Sequence, residues 1–549
     1  MASLRKTSDT IVKPAAEDAS ISAARLDVED GTMEELGYAA VYRRVLRSAA
    51  NLSIVLSLTS PLSAIFVTAT YQITYAGYWG LTWGWFIPSV LVIPEVLAIS
   101  ELASSMPVNG AFYWWSGALA PPRWSHSVSF ITGYLNILSI FTATAAFAYA
   151  VSSSFSSAVV IAVPDMAWTN AQLMGLSIGI VVLWSALMTL KLEQVAIIYM
   201  TMGKRPTLMS APDTFAKANS APSPAVLIGI QTLLFILGLP ITHAVQNLPF
   251  APASKVFGQF TSYSDWGPSV AVPYSWFCAL WVNSAWMVPV YMAEETHRAS
   301  IEIPKSLILT YSATAIVGLV VSIICAFCIT DIDAAGTDIT GYPLFTLILS
   351  HWGDKITSAF LLFVAPVGFI GGSGTLLTYA NQIAAFARDK GLPYSSHMLY
   401  VHPRLNIPTY SVGFLAIGTG LVLLLSLSEE ASNIIYSLSV VASLITFVIP
   451  IFFRIFASDR WVPGRFSLGR WSIPVHITAL ITQSYLIVME CFPPEKAWTV
   501  HTFNYNSIVT IGAIILSCIM YVLYGRKHFK GLDMEALNGW RRHHGVIVE

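Results

Sequence analysis

The stretch NLSIVLSLTSPLSAIFVTA, Asn51 to Ala69, opens the first long apolar run of the chain. Its ends are aliphatic, yet Ser57, Thr59, Ser60, Pro61 and Ser63 occupy its middle. Proline has no amide hydrogen and its ring clashes with the preceding turn, so a kink or break is expected at Pro61. Within lipid, non-helical backbone survives only where it is buried in protein or lines a cavity. The hydroxyls then have two readings. Either they bond back to carbonyls one turn earlier, as Ser and Thr in membrane helices often do, or they face a cavity and its occupant.

A second run is interrupted in a similar way. In SWFCALWVNSAWMVPVYMAEE, Ser275 to Glu295, Asn283 and Ser284 break the apolar pattern and Pro289 follows. Interrupted segments at matching places in two halves of a chain point to the binding site of a secondary transporter. The two runs would each open a five-helix repeat, the second inverted relative to the first.

Composition sets the class. Of 549 residues, 55% are apolar and only 11% charged, against about 25% charged in soluble proteins. Mean hydropathy is +0.64. The formal net charge of −1 argues against a nucleic-acid partner, which would require a basic face. Cys278, Cys325, Cys328, Cys491 and Cys518 all fall in apolar runs, with spacings that suit neither a metal site nor a disulfide framework. They read as packing residues, and no metal or cofactor is expected.

A spanning helix needs roughly 20 mostly apolar residues. Twelve such stretches are legible, near 50–75, 79–104, 127–160, 171–191, 223–248, 270–293, 306–330, 356–386, 408–428, 431–456, 473–492 and 504–525. Residues 1–45 form a polar tail with no apolar core, expected to be cytosolic and disordered, and Glu34–Arg44 is expected to form a short helix on the membrane surface. Residues 46–525 make the twelve-span body in the lipid bilayer, and 526–549 a second cytosolic tail. With both ends inside, only Lys255, Lys355 and Lys496 of the 29 basic residues fall outside, as the positive-inside rule demands. Twelve spans on short loops, with no nucleotide-binding motif and no metal-ligand cluster, leave little room for an enzyme. A solute carrier is the leading class.

Three motifs narrow this further. ELASSMPVNGAFYWW (Glu101 to Trp115), EETHRASIEIPKS from Glu294, and AAFARDKGLPYSSHMLYVHPRLNIPTYSV (Ala384 to Val412) occur in order along the chain. Together they resemble the amino acid–polyamine–organocation superfamily, most closely its fungal amino acid, GABA and choline permeases. The resemblance implies an all-α multi-span fold of the LeuT-like kind, a five-plus-five inverted repeat with two further helices. It also implies a substrate held midway through the membrane, where spans one and six are unwound. A bound amino acid's carboxylate would face the start of the second half of span one, where free N–H groups and the helix dipole favour an anion. Carried onto this chain, the first break falls on Ser57 to Ser63 and the second on Val282, Asn283, Ser284 and Ala285. Trp281 matches a position at which relatives place a gating aromatic.

The chain departs from the family pattern in places. Ala285, Trp286 and Met287 stand where relatives often have Gly-Tyr-Asp. Ala76, Gly77 and Tyr78 stand where they often have Gly-Gly-Pro. Ala380 and Asn381 replace a Ser-Arg pair. The polar, Pro/Ser-rich stretch 203–224 before span five is also unlike the family.

Ionisable groups within spans are expensive and functional by default. Glu95, deep in span two, is a candidate for proton coupling or for a bond to a neighbouring helix. His243 in span five is a second coupling candidate by its intrinsic pKa. Glu294 and Glu295 end span six near the basic loop that carries Arg388, either as an ion-pair latch of the cytosolic gate or as a solvated rim. The expectation is an importer of amino acids or related small amines, proton-coupled, in the plasma or vacuolar membrane. A choline or polyamine permease, a non-transporting nutrient sensor of the same fold and a channel are the rivals.

Overall fold

Gly77 folds the chain between its first two spans. Its φ of 60° and ψ of −135° interrupt an otherwise helical run, Pro61–Leu91, and glycine alone adopts that backbone without steric cost. The corner is stitched to the segment before span six. Tyr263 donates to the Thr74 carbonyl at 2.8 Å and Trp79 to the Gln259 carbonyl at 3.2 Å.

The computed structural model describes residues 61–163, 166–188, 224–337, 342–402, 407–499 and 503–546. Ser57, Thr59 and Ser60, the stretch before span five and the segment Glu34–Arg44 lie outside the described residues. Every regular element among the described residues is helical. Ten helices are long and apolar enough to cross a membrane. The first of these, Pro61–Ser105, has 45 residues and holds both span one and span two on either side of Gly77. Span six is absent from the ten because it is broken into Pro268–Tyr274, Phe277–Val282 and Ser284–Glu295. Expected spans two to twelve map onto these segments, and the described part of span one begins at Pro61.

The packing follows a pattern of its own. Span one lies on span six, two on seven, three on eight and four on nine. Span three also packs on span ten, as span eight packs on span five. Span three meets spans four and nine, as span eight meets nine and four. Exchanging each span with the one five places later carries this set of pairs into itself. Successive spans alternate in direction and five is odd, so the second set of five runs inverted to the first.

Burial follows from that topology. The most apolar windows of spans three, eight and ten are 61%, 67% and 78% buried, against 22% for span four and 17% for span twelve. Leu516, Val522 and Leu523 of span twelve point outward, as a lipid-facing surface requires. Small residues let central helices approach closely. A Cβ added at Gly318 would stand 1.8 Å from the Trp85 ring, and one at Gly372 2.2 Å from Trp184.

Two short helices complete the body. Ala111–Leu119 follows span two and is buried along its whole length. Met534–His543, capped by the Asp533 carboxylate, packs beneath it. The buried Arg541 guanidinium donates to the Ala118 carbonyl, and Lys530 N–H donates to the Asp389 carbonyl at 2.9 Å.

Candidate functional site

Spans one, three, six and eight converge on a small central cavity. Its wall is formed by Ser63 and Ala64 of span one, Phe147 and Ser154 of span three, Trp281 of span six and Gly368 of span eight, among others. Its volume of about 20 Å³ is room for one water molecule. Trp281 closes one side, edge-on to Tyr436 at 4.8 Å and 6.0 Å from Phe147 between ring centres. Pro61, in the first described turn of span one, is buried.

The sixth-span break is a change of winding. The α-helix Phe277–Val282 ends at Asn283, whose φ and ψ of −86° and 2° are non-helical, and the chain continues as a 3₁₀ helix over Ser284–Glu295. The Asn283 side chain donates to the Ala279 carbonyl at 2.9 Å and the Ser284 hydroxyl to the Trp281 carbonyl at 2.7 Å. The two polar residues thus repair the backbone they interrupt. Of the five predicted sixth-span residues, Trp281 faces the central cavity, while Val282 and Ala285 are buried in the core. Asn283 and Ser284 line a second cavity, on the flank of spans two, seven and ten, together with Glu95 and Tyr311. Glu95 is 1% exposed.

At the end of span six the two glutamates take different partners. Arg388 donates from Nη1 to Glu294 Oε2 at 3.1 Å and from Nη2 to Oε1 at 3.0 Å. This is a two-pronged, largely buried pair of the kind only a planar guanidinium makes. Asn109, from the turn after span two, clamps the same residue. Its N–H donates to Glu294 Oε1 at 3.1 Å and its Oδ1 accepts from Glu294 N–H at 2.9 Å. Glu295 accepts from Asn381 Nδ2 at 2.7 Å, and Tyr113 donates to Asp389 at 2.9 Å. Spans two, six and eight are tied together at this face.

His243 lies at the opposite face, since span five ends where span six begins. Its Nδ1 is 2.7 Å from Nε2 of His351, on the helical segment that precedes Gly353. His351 Nδ1 lies 2.8 Å from the Leu347 carbonyl, so Nδ1 carries the proton and Nε2 accepts from His243. Gln246 donates to the His351 carbonyl and the Trp352 indole to Thr242 Oγ1. The end of span five is thereby fastened to the segment before span eight.

Asn109, Asn381 and His351 were not legible as site residues, because each is defined by a partner distant in sequence. Glu101 of the first motif belongs to the scaffold. Its carboxylate accepts from Leu468 N–H at 2.9 Å and from Ser472 Oγ at 2.6 Å, holding the start of span eleven. Its hydrophobic surroundings gave no hint of that partner.

A helical bundle built as paired, mirrored spans, with a cavity at the first and sixth, now has a comparison to meet. The profile of a family described as amino acid permease matches residues 48–204 and 212–514. The chain belongs to this amino acid permease family. Members are membrane transporters rather than enzymes, and fungal relatives align over nearly the whole chain. An uncharacterized amino-acid permease of Schizosaccharomyces pombe is 28% identical over 94% of this chain and 88% of its own. The GABA-specific permease of Saccharomyces cerevisiae is 26% identical over 93% and 87%. Among solved structures, a manganese transporter of Eremococcus coleocola aligns over 90% of this chain and 95% of its own, at 11% identity and a TM-score of 0.49.

Proposed function

We propose that this permease imports amino acids or related small amines by alternating access, driven by a proton gradient. The observation that carries the reading is the central cavity between Ser63 and Trp281, where the two repeats meet, as midplane sites of transporters do. Ser57, Thr59, Ser60 and Ser63, with the amides after Pro61, would hold the substrate carboxylate, and Trp281 would close over it. The cavity as it stands is too small for an amino acid, so one bundle must move against the other to admit it. The Glu294–Arg388 pair, with Glu295 and Asn381, would then be the latch of the cytosolic gate, and the His243–His351 contact would fasten the outer one. Glu95 is the candidate group for exchange of the coupling proton, with His243 the second. Both termini would lie in the cytosol, in the plasma or vacuolar membrane.

The organic-cation reading has an observation in its favour as well. A putative polyamine transporter of Candida albicans is 22% identical over 92% of this chain, and the second cavity holds a buried carboxylate. Uptake of radiolabelled amino acids, GABA, choline and putrescine into proteoliposomes, with and without an imposed pH gradient, separates the readings. Gradient-dependent uptake of an amino acid supports the proposal. Choline or putrescine uptake without any amino acid would replace it.

A further inference from the structure

The cavity between spans two, six, seven and ten has an unusual lining. Glu95 Oε1 and Asn283 Oδ1, both buried, have no hydrogen-bond partner. The hydroxyls around them have spent their protons elsewhere. Ser284 donates to the Trp281 carbonyl, Tyr311 to the Ser89 carbonyl at 2.7 Å, Ser89 to the Trp85 carbonyl at 2.8 Å and Ser443 to the Ser439 carbonyl at 2.8 Å. Asn283 has turned its amide nitrogen to the Ala279 carbonyl. With Glu95 ionised, these groups offer lone pairs to the cavity and no proton.

Such a lining selects its occupant. An anion meets the charge of Glu95 and these lone pairs. Water brings two donors and leaves the carboxylate charge uncompensated, which is costly in the membrane interior. An ammonium group brings three donors and the opposite charge. The volume of about 20 Å³ fits a head of water size. Trp286 and Phe447 complete the wall, and aromatic faces attract organic cations.

We propose that this cavity is a subsite for a primary ammonium group, with Glu95 as its counter-charge and Asn283 as its second acceptor. The proton that Glu95 holds when the cavity is empty leaves to solvent as the ammonium enters, one for one, so the charge of the site stays constant. The assignment deepens the transporter reading by naming organic ammonium as a substrate class, and it rests on that reading only for transport. The free end of a longer substrate and a small alkylammonium ion present the same head.

Methylammonium chloride is the probe, titrated calorimetrically into the full-length protein in nanodiscs between pH 6 and 8. Binding is expected to tighten by up to tenfold per pH unit and to release one proton, as linkage to a single carboxyl requires. Glu95→Gln should weaken binding at least tenfold and abolish its pH dependence. Asn283→Leu should weaken it with the pH dependence kept. Sodium at equal concentration should not compete, whereas a diamine should compete and butyrate should not if the free end of a substrate is the source. Absence of binding, binding that ignores pH, or equal competition by sodium overturns the assignment. The wild-type pH dependence decides the matter even where Glu95→Gln does not fold. A protein that ignores methylammonium yet takes up a neutral amino acid overturns the subsite alone. One that binds methylammonium but transports no amino acid or amine overturns the importer reading alone.

Discussion

Arg388 grips both carboxylate oxygens of Glu294, at 3.0 and 3.1 Å, from the end of span eight to the end of span six. The two residues stand 94 positions apart in the chain and belong to the same repeat, at the ends of its first and third spans. Their pair ties the ends of spans six and eight together at one face of the bundle. Removing one partner of such a buried pair strands the other charge, at a cost of about 3–5 kcal/mol. Arg388→Met should therefore lower the melting temperature clearly. Arg388→Lys keeps the charge but loses the fork, and should fold while labelling of a cysteine placed above the latch becomes faster. Unchanged labelling would reduce the pair to a scaffold contact.

Ser63 lines the central cavity opposite Trp281. Loss of one charge-assisted hydrogen bond costs about 1.5–3 kcal/mol, or roughly tenfold to more than a hundredfold in affinity. Ser60→Ala and Ser63→Ala should each raise the apparent KM for an amino acid, with normal expression at the membrane. A site with buried donors also rejects ligands that cannot pair them, so choline and putrescine should compete poorly for amino-acid uptake. Strong choline competition with silent serine variants would assign the hydroxyls to backbone repair around Pro61.

Glu95 is buried in span two, and its Oε1 has no hydrogen-bond partner. Glu95→Gln preserves shape and removes the titration. Accumulation driven by a pH gradient should be lost in this variant, while exchange of an amino acid held at the central cavity persists. Uptake that stays at the wild-type level from pH 5 to 8 would leave Glu95 a structural residue.

Gly318 has no room for a side chain, because the Trp85 ring would lie 1.8 Å from its Cβ. Gly318→Ala should destabilise the contact of spans two and seven by about 1–3 kcal/mol, the range of core overpacking. Gly413 has nothing within 4 Å of the same position. Gly413→Ala should be neutral or stabilising by up to about 1 kcal/mol, from helix propensity. Thermal denaturation of the two variants in one detergent checks the pair.

Hydrophobic length and periodicity are local properties, so the positions of most spans were legible from the chain alone. The interruptions were legible too, since proline and clustered hydroxyls announce a helix under stress wherever they stand. The form of the interruption was not. Asn283 and Ser284 were expected in an unwound segment, and in the structure they stand where an α-helix tightens into a 3₁₀ helix, beside the second cavity. Side-chain direction at a break depends on backbone dihedrals that no pattern of residue types specifies.

What the sequence determined by itself was the membrane class, the span boundaries and the residues that carry charge into an apolar body, because these follow from the free energy of each segment in lipid. Tertiary structure alone decided who meets whom. Glu101 found Ser472, Glu294 added Asn109 to the Arg388 that the sequence offered, and His243 found His351. A buried polar group must be satisfied, but the requirement does not name the partner. Only the packing of spans distant in the chain brings residues 94 to 371 positions apart within hydrogen-bond reach. For the same reason, the lone carboxylate of span two could be found in the sequence, while the acceptor-lined cavity around it could not.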